Sequence, residues 1–69
     1  MRAWLKKRRI DRGLTMKDMS EKLCISESYY CSIENGERQK RMDMLIAAGI
    51  SSALDMPISE IAELEHLRS

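Results

Sequence analysis

Apolar residues recur along this chain at three- and four-residue spacing, broken by short polar stretches rich in helix-capping and helix-ending residues. That spacing is one face of an α-helix. Alternation of β-branched and polar residues is absent, so an all-α fold of five helices is predicted. The first helix covers about Arg2 to Arg12 and stops at Gly13, a residue able to take the left-handed conformation that closes a helix. Leu14 then turns inward. Thr15 is a good N-cap, and Asp18 three residues later outlines a capping box. A second helix follows over about Met16 to Leu23, with Met19 and Leu23 on its buried face. After a tight turn at Cys24 and Ile25, Ser26 caps a third helix over about Glu27 to Asn35, ended by Gly36. The loop Glu37 to Lys40 is polar and mostly charged. A fourth helix is predicted over Arg41 to Leu54, with Met42, Ile46, Ile50 (or Gly49) and Ala53–Leu54 at helical spacing. Pro57 suits the first turn of a last helix carrying Ile58, Ile61, Leu64 and Leu67.

The second and third helices are too short to persist alone in water. Joined by a three-residue turn, they make sense as a packed helix-turn-helix unit over about residues 15–35, whose second member is shaped to enter a major groove. With 69 residues in all, the chain is expected to be a single domain, 1–69. A chain of this size buries only about 60% of its unfolded surface.

Composition narrows the function classes. Apolar residues make up 43% and charged residues 33%, a soluble globular balance. No apolar run approaches the roughly 18 residues of a membrane span. No apolar segment and cleavage site follow the basic N-terminus, so a cytoplasmic location is expected. Cys24 and Cys31, with one histidine, His66, and no CxxC pair, suggest free thiols rather than a zinc site, and no metal or other cofactor is expected. There is no nucleophile–base pair and no glycine-rich phosphate loop, which argues against an enzyme. Net charge is +1, but residues 1–12 hold six Lys/Arg against one acid, and residues 55–69 hold four acids against one Arg. The asymmetry reads either as a basic phosphate-facing side with an acidic rear or as a solvated basic helix. Of the six methionines, Met19, Met42 and Met56 are assigned to the core.

The stretch GLTMKDMSEKLCISESYYCSIENG, Gly13 to Gly36, resembles the Xre-type helix-turn-helix family, also called lambda-repressor/Cro-like. LKKRRIDRG upstream and ALDMPISEI downstream fit the same family's first and last helices. The most specific piece is Ile33-Glu34-Asn35-Gly36, at the expected distance from Gly13-Leu14-Thr15. The resemblance implies a compact five-helix lambda-repressor-like domain. It also implies a small residue, Ser20, where helices two and three cross, an inward face of Tyr30 and Ile33, and an ion pair between Arg9 and Glu34.

The resemblance further implies a sequence-specific DNA-binding transcriptional regulator, a dimer on a palindromic operator, with residues 27–35 in the major groove. Its base-reading positions correspond to Ser26, Glu27, Ser28 and Ser32, with Tyr29 at the edge. A Glu accepts from a cytosine amino group, and Ser reaches donors or acceptors. Ser26 has a competing role as a cap, and Tyr29 as a cover for the core. The phosphate-contacting positions correspond to Met16, Lys17, Asn35, Arg38, Lys40 and Arg41. The dimer surface would be Ile58, Ile61, Leu64 and Leu67, unless that stripe closes the monomer's core.

Three positions and one segment depart from the family pattern. Met16 stands where many relatives have a phosphate-binding Gln, Cys24 where the turn prefers Gly, and Asp55 where a Gly usually ends helix four. The segment between helices three and four is a residue or two longer. Glu27 and the modest net charge leave a second reading open, a protein-interaction or antitoxin-like module on the same fold.

Overall fold

The computed structural model describes residues 1–68, and its boundaries follow from caps. Five helices run α1 (Ala3–Asp11), α2 (Met16–Leu23), α3 (Glu27–Asn35), α4 (Met44–Leu54) and α5 (Ile58–Arg68). Thr15 and Asp18 form a reciprocal capping box at α2, with Thr15 Oγ1 accepting from Asp18 N at 3.0 Å and Asp18 Oδ2 accepting from Thr15 N at 2.9 Å. Ser26 Oγ accepts from Tyr29 N at 3.0 Å and caps α3. Each of these bonds satisfies a first-turn N–H that the helix cannot satisfy internally.

The fourth helix starts three residues later than the sequence predicts, at Met44 rather than Arg41. Asp43 is the reason. Its Oδ1 accepts from Ile46 N at 2.8 Å, a stronger start signal than the apolar periodicity of Met42. Lys40 and Arg41 therefore lie in the loop. Within that loop Gln39 takes a left-handed φ of 56°, a conformation the sequence did not announce. Cys24 at φ 58° and Asp55 at φ 53° adopt the left-handed conformation in the turn after α2 and at the end of α4. Both stand where the resemblance described above implies glycine.

The layers assemble around α2, which packs on both α3 and α4, while α5 packs on α4 and α1 on α3. Leu5, Met19, Tyr30, Ile33, Ala47, Ile50, Leu54, Met56 and Ile61 form the buried core. Leu14, Met16, Leu23, Met42, Ile46 and Leu64 close around it. Ser20, buried in α2, returns its hydroxyl to Lys17 O at 2.8 Å, so a small polar side chain sits at the crossing without an unmet donor. Gly49 lets α2 and α4 approach: a Cβ there would lie 2.1 Å from Leu23 Cδ2.

Ile58, Ile61, Leu64 and Leu67 do not form one exposed stripe. Ile61 is 2% exposed and belongs to the monomer's core, and Leu64 packs against it. Three-residue spacing drifts by about 60° per step around a helix. Ile58 and Leu67, both exposed, therefore end on opposite sides of α5. Among the described residues no single helix is long and apolar enough to cross a membrane.

Candidate nucleic-acid interface

Helix α3 has two unlike faces. Tyr30, Ile33 and Glu34 are buried, whereas Ser26, Glu27 and Ser28 at its front are exposed. Ser28 and Ser32 lie one turn apart on the outer side, joined by Ser32 Oγ donating to Ser28 O at 3.1 Å. Asn35, also exposed, continues the outer surface and places its Nδ2 3.6 Å from Cys31 Sγ. The front of α3 thus offers one carboxylate and two serine hydroxyls. Ser26 divides its capacity, because its oxygen already accepts the cap bond.

An ion pair fixes the angle of this helix. Arg9 Nε donates to Glu34 Oε2 at 2.7 Å, and Arg9 Nη1 donates to Leu14 O at 2.9 Å. One guanidinium thus ties the last turn of α1, the turn after it and the end of α3. The Glu34 carboxylate holds the Arg9 guanidinium above its ordinary pKa, its hydrogen bond outweighing the opposing effect of burial. Burial, with the neighbouring Glu34 carboxylate, pushes the Tyr30 phenol well above the usual tyrosine range. Among the described residues, Tyr30 Oη and Glu34 Oε1 are buried without a hydrogen-bond partner. That carries a desolvation cost inside the hinge between α1 and α3.

Such a geometry, a capped short helix crossed by a second and locked by a buried arginine–glutamate pair, is matched at the level of sequence. The profile of the helix-turn-helix family covers residues 5–61. The chain belongs to the Xre-type helix-turn-helix family. It is also 44% identical over 39 residues to the uncharacterized HTH-type transcriptional regulator YqaF of Bacillus subtilis (strain 168), an alignment covering 56% of this chain and 51% of that protein. The chain thus spans about half the length of this curated relative. No solved structure matches significantly.

As a helix-turn-helix chain, it places the remaining candidate residues unevenly. Lys17, Arg38, Lys40 and Arg41 are exposed. Met16 is partly buried against the core, and its side chain has no donor to offer a phosphate. Asp18 adds a carboxylate at the same helix start. The Thr15 N–H, followed by the Thr15 hydroxyl contact, holds that carboxyl below the usual carboxylate range, so an anion arriving at this helix end meets a negative charge. Tyr29 covers part of the core, and its Oη accepts from Gln39 Nε2 at 2.7 Å. Gln39 Oε1 in turn accepts from Asp43 N at 2.9 Å, linking α3 to the start of α4.

The charge asymmetry along the chain folds back on itself. Arg2 pairs with Glu65 at 3.0 Å, Arg8 with Glu60, and Arg12 lies 3.7 Å from Asp55. With Arg9 committed to Glu34, four of the six cations of residues 1–12 face acidic partners. Cations at the start of the chain thus pair with acids of α3, α5 and the α4–α5 turn, while Lys6 and Lys7 stay exposed on α1.

Arg2, Glu65, Trp4 and Gln39 were not singled out as site residues by sequence reasoning. Arg2 opens a run of surface-type cations, and nothing in its spacing distinguishes it from Lys6 or Lys7. No three His, Cys, Asp or Glu side chains converge on a metal geometry among the described residues.

Proposed function

We propose that this protein is a DNA-binding transcriptional regulator that sets α3 into the major groove. The observation that carries the reading is the exposed front of α3, held rigidly over a fully buried rear face in a helix-turn-helix chain. In this reading Glu27 and Ser28 meet base edges, with Ser32, Ser26 and Tyr29 contributing from the flank. Asn35, Arg38, Lys40, Arg41 and Lys17 position the duplex through phosphates, contacts that hold register without reading sequence. Met16 supplies no side-chain contact to phosphate.

One short helix reads few bases, so the proposal includes a homodimer on a two-fold symmetric site with half-sites about one helical turn apart. On α5 the exposed apolar residues are Ile58 and Leu67, and Ile58 lines a groove with Met44 of α4. Met44 is 71% and the adjoining Leu45 84% exposed. The same patch favours the second reading, a protein-interaction module.

Selection from randomised duplex DNA at two salt concentrations separates the two. The regulator reading expects a short symmetric site whose affinity falls steeply with salt, because each neutralised phosphate releases counterions. A folded protein that enriches nothing over random duplex at low salt would overturn it. Sedimentation of the Leu45→Glu chain on the selected site checks the dimer: loss of the two-chain complex is expected, and an unchanged complex excludes this face.

A further inference from the structure

We infer that Arg2 is a positioning residue for the loop that carries Arg38, Lys40 and Arg41. Its side chain is 0% exposed although it is the second residue of the chain. Its backbone N–H donates to Glu34 O at 2.7 Å. Its guanidinium Nη1 donates to Ile33 O at 2.6 Å and to Arg38 O at 3.1 Å, and Nη2 donates to Gln39 O. Nε faces both oxygens of Glu65 at 3.0 Å. A planar fork with five donors can serve three carbonyls and a carboxylate at once, and a lysine ammonium cannot. The carbonyls it serves belong to the last turn of α3 and to the loop beyond it. Arg2 therefore sets the distance between the recognition helix and the loop's side chains.

Glu65 anchors the device from α5. The same carboxylate accepts from Trp4 Nε1 at 2.8 Å, and Trp4 is the protein's single tryptophan. Indole emission is thus a built-in report on this cluster. The first and last helices meet at the loop through one buried guanidinium, and the left-handed Gln39 lies within its reach. The functional part of the inference rests on the DNA-binding reading above; the loop-ordering part does not.

The test uses the full chain carrying Arg2→Met, Arg2→Lys or Glu65→Gln. In Arg2→Met, amide exchange across residues 37–43 should rise by at least about tenfold, with α2 and the front of α3 unchanged. On the selected duplex, the slope of log affinity against log salt should fall by roughly 2–3, the loss of about three phosphate contacts, with the preferred bases retained. Arg2→Lys keeps a charge beside Glu65 and should recover the melting temperature and the Trp4 emission but not the loop protection. If Arg2→Met does not fold, Glu65→Gln carries the test, with shifted Trp4 emission and faster loop exchange expected.

Unchanged exchange at 37–43 in a folded variant, or a rise spread evenly over all five helices, would overturn the inference. So would a freed loop with an undiminished salt slope. A wild-type chain without DNA affinity would remove the functional reading, while loop exchange would still decide whether Arg2 orders the loop.

Discussion

Arg9 shows how one side chain decides the presentation of a helix. Its partner Glu34 is 1% exposed, and the pair joins α1 to α3. Removing one member leaves a buried charge unmet, at a cost of about 3–5 kcal/mol. A chain of this length holds only about 3–10 kcal/mol in total, so Arg9→Met should lose a large share of its stability. Urea unfolding checks this, and a loss under about 1 kcal/mol would show that the pair contributes no more than a surface one. Asp18 acts at the other charged hinge of the motif. Its folded pKa lies below the unfolded value of about 3.9. Its contribution is therefore complete above that value and is lost as pH falls through the lower folded one. The melting difference between wild type and Asp18→Asn should be widest near neutral pH and narrow below about pH 4. A difference independent of pH would mean that the carboxylate's charge does not matter to the cap. The capping box was legible because it is local, three residues from donor to acceptor. Arg9–Glu34 came into view only through the family resemblance, since 25 residues separate the partners.

Elements are joined by shape more than by polarity. Leu23 of α2 occupies the space that a side chain at Gly49 would need. Glycine in mid-helix costs roughly 1 kcal/mol relative to alanine, and here it permits the α2–α4 crossing. Gly49→Val should destabilise by about 1–3 kcal/mol through overpacking. Adding Leu23→Ala should recover part of that loss, a non-additivity that denaturant unfolding of the four chains would measure. Purely additive losses would place the strain elsewhere. At this scale periodicity recovered all five helices, and α2 and α3 began at their sequence-predicted caps. The start of α4 was misplaced because Met42 continues the apolar spacing while lying before the Asp43 cap. The spacing of Ile58, Ile61, Leu64 and Leu67 suggested one stripe, but packing on α4 draws Ile61 inward and leaves Ile58 and Leu67 apart.

For the whole molecule, folding redistributes the charge. Four of the six cations of residues 1–12 are held against acids of α3, α5 and the α4–α5 turn, while Lys17, Arg38, Lys40 and Arg41 are exposed near α2 and the loop after α3. In the proposed complex, Arg41→Ala should weaken every sequence alike and reduce the salt slope by about 1. Glu27→Ala should instead change the preferred base, with overall affinity maintained or raised as a negative charge leaves the interface. Titrations of selected and scrambled duplexes at several salt concentrations test both. Identical behaviour of the two variants would contradict the division between base reading and phosphate positioning.

The sequence by itself determined the helical class, the two capped helices with their tight turn, and most of the core. Each of these rests on side chains that act within a turn or two of their own position. The tertiary structure alone decided that Arg2 is buried, that Gln39 bonds Tyr29, and that Ile61 is internal. It also decided that cations of residues 2–12 meet acids of α3, α5 and the turn between α4 and α5. Those outcomes depend on which groups meet across tens of residues. The sequence writes an arginine the same way whether its guanidinium donates to water or, as Arg2 does, to three backbone carbonyls.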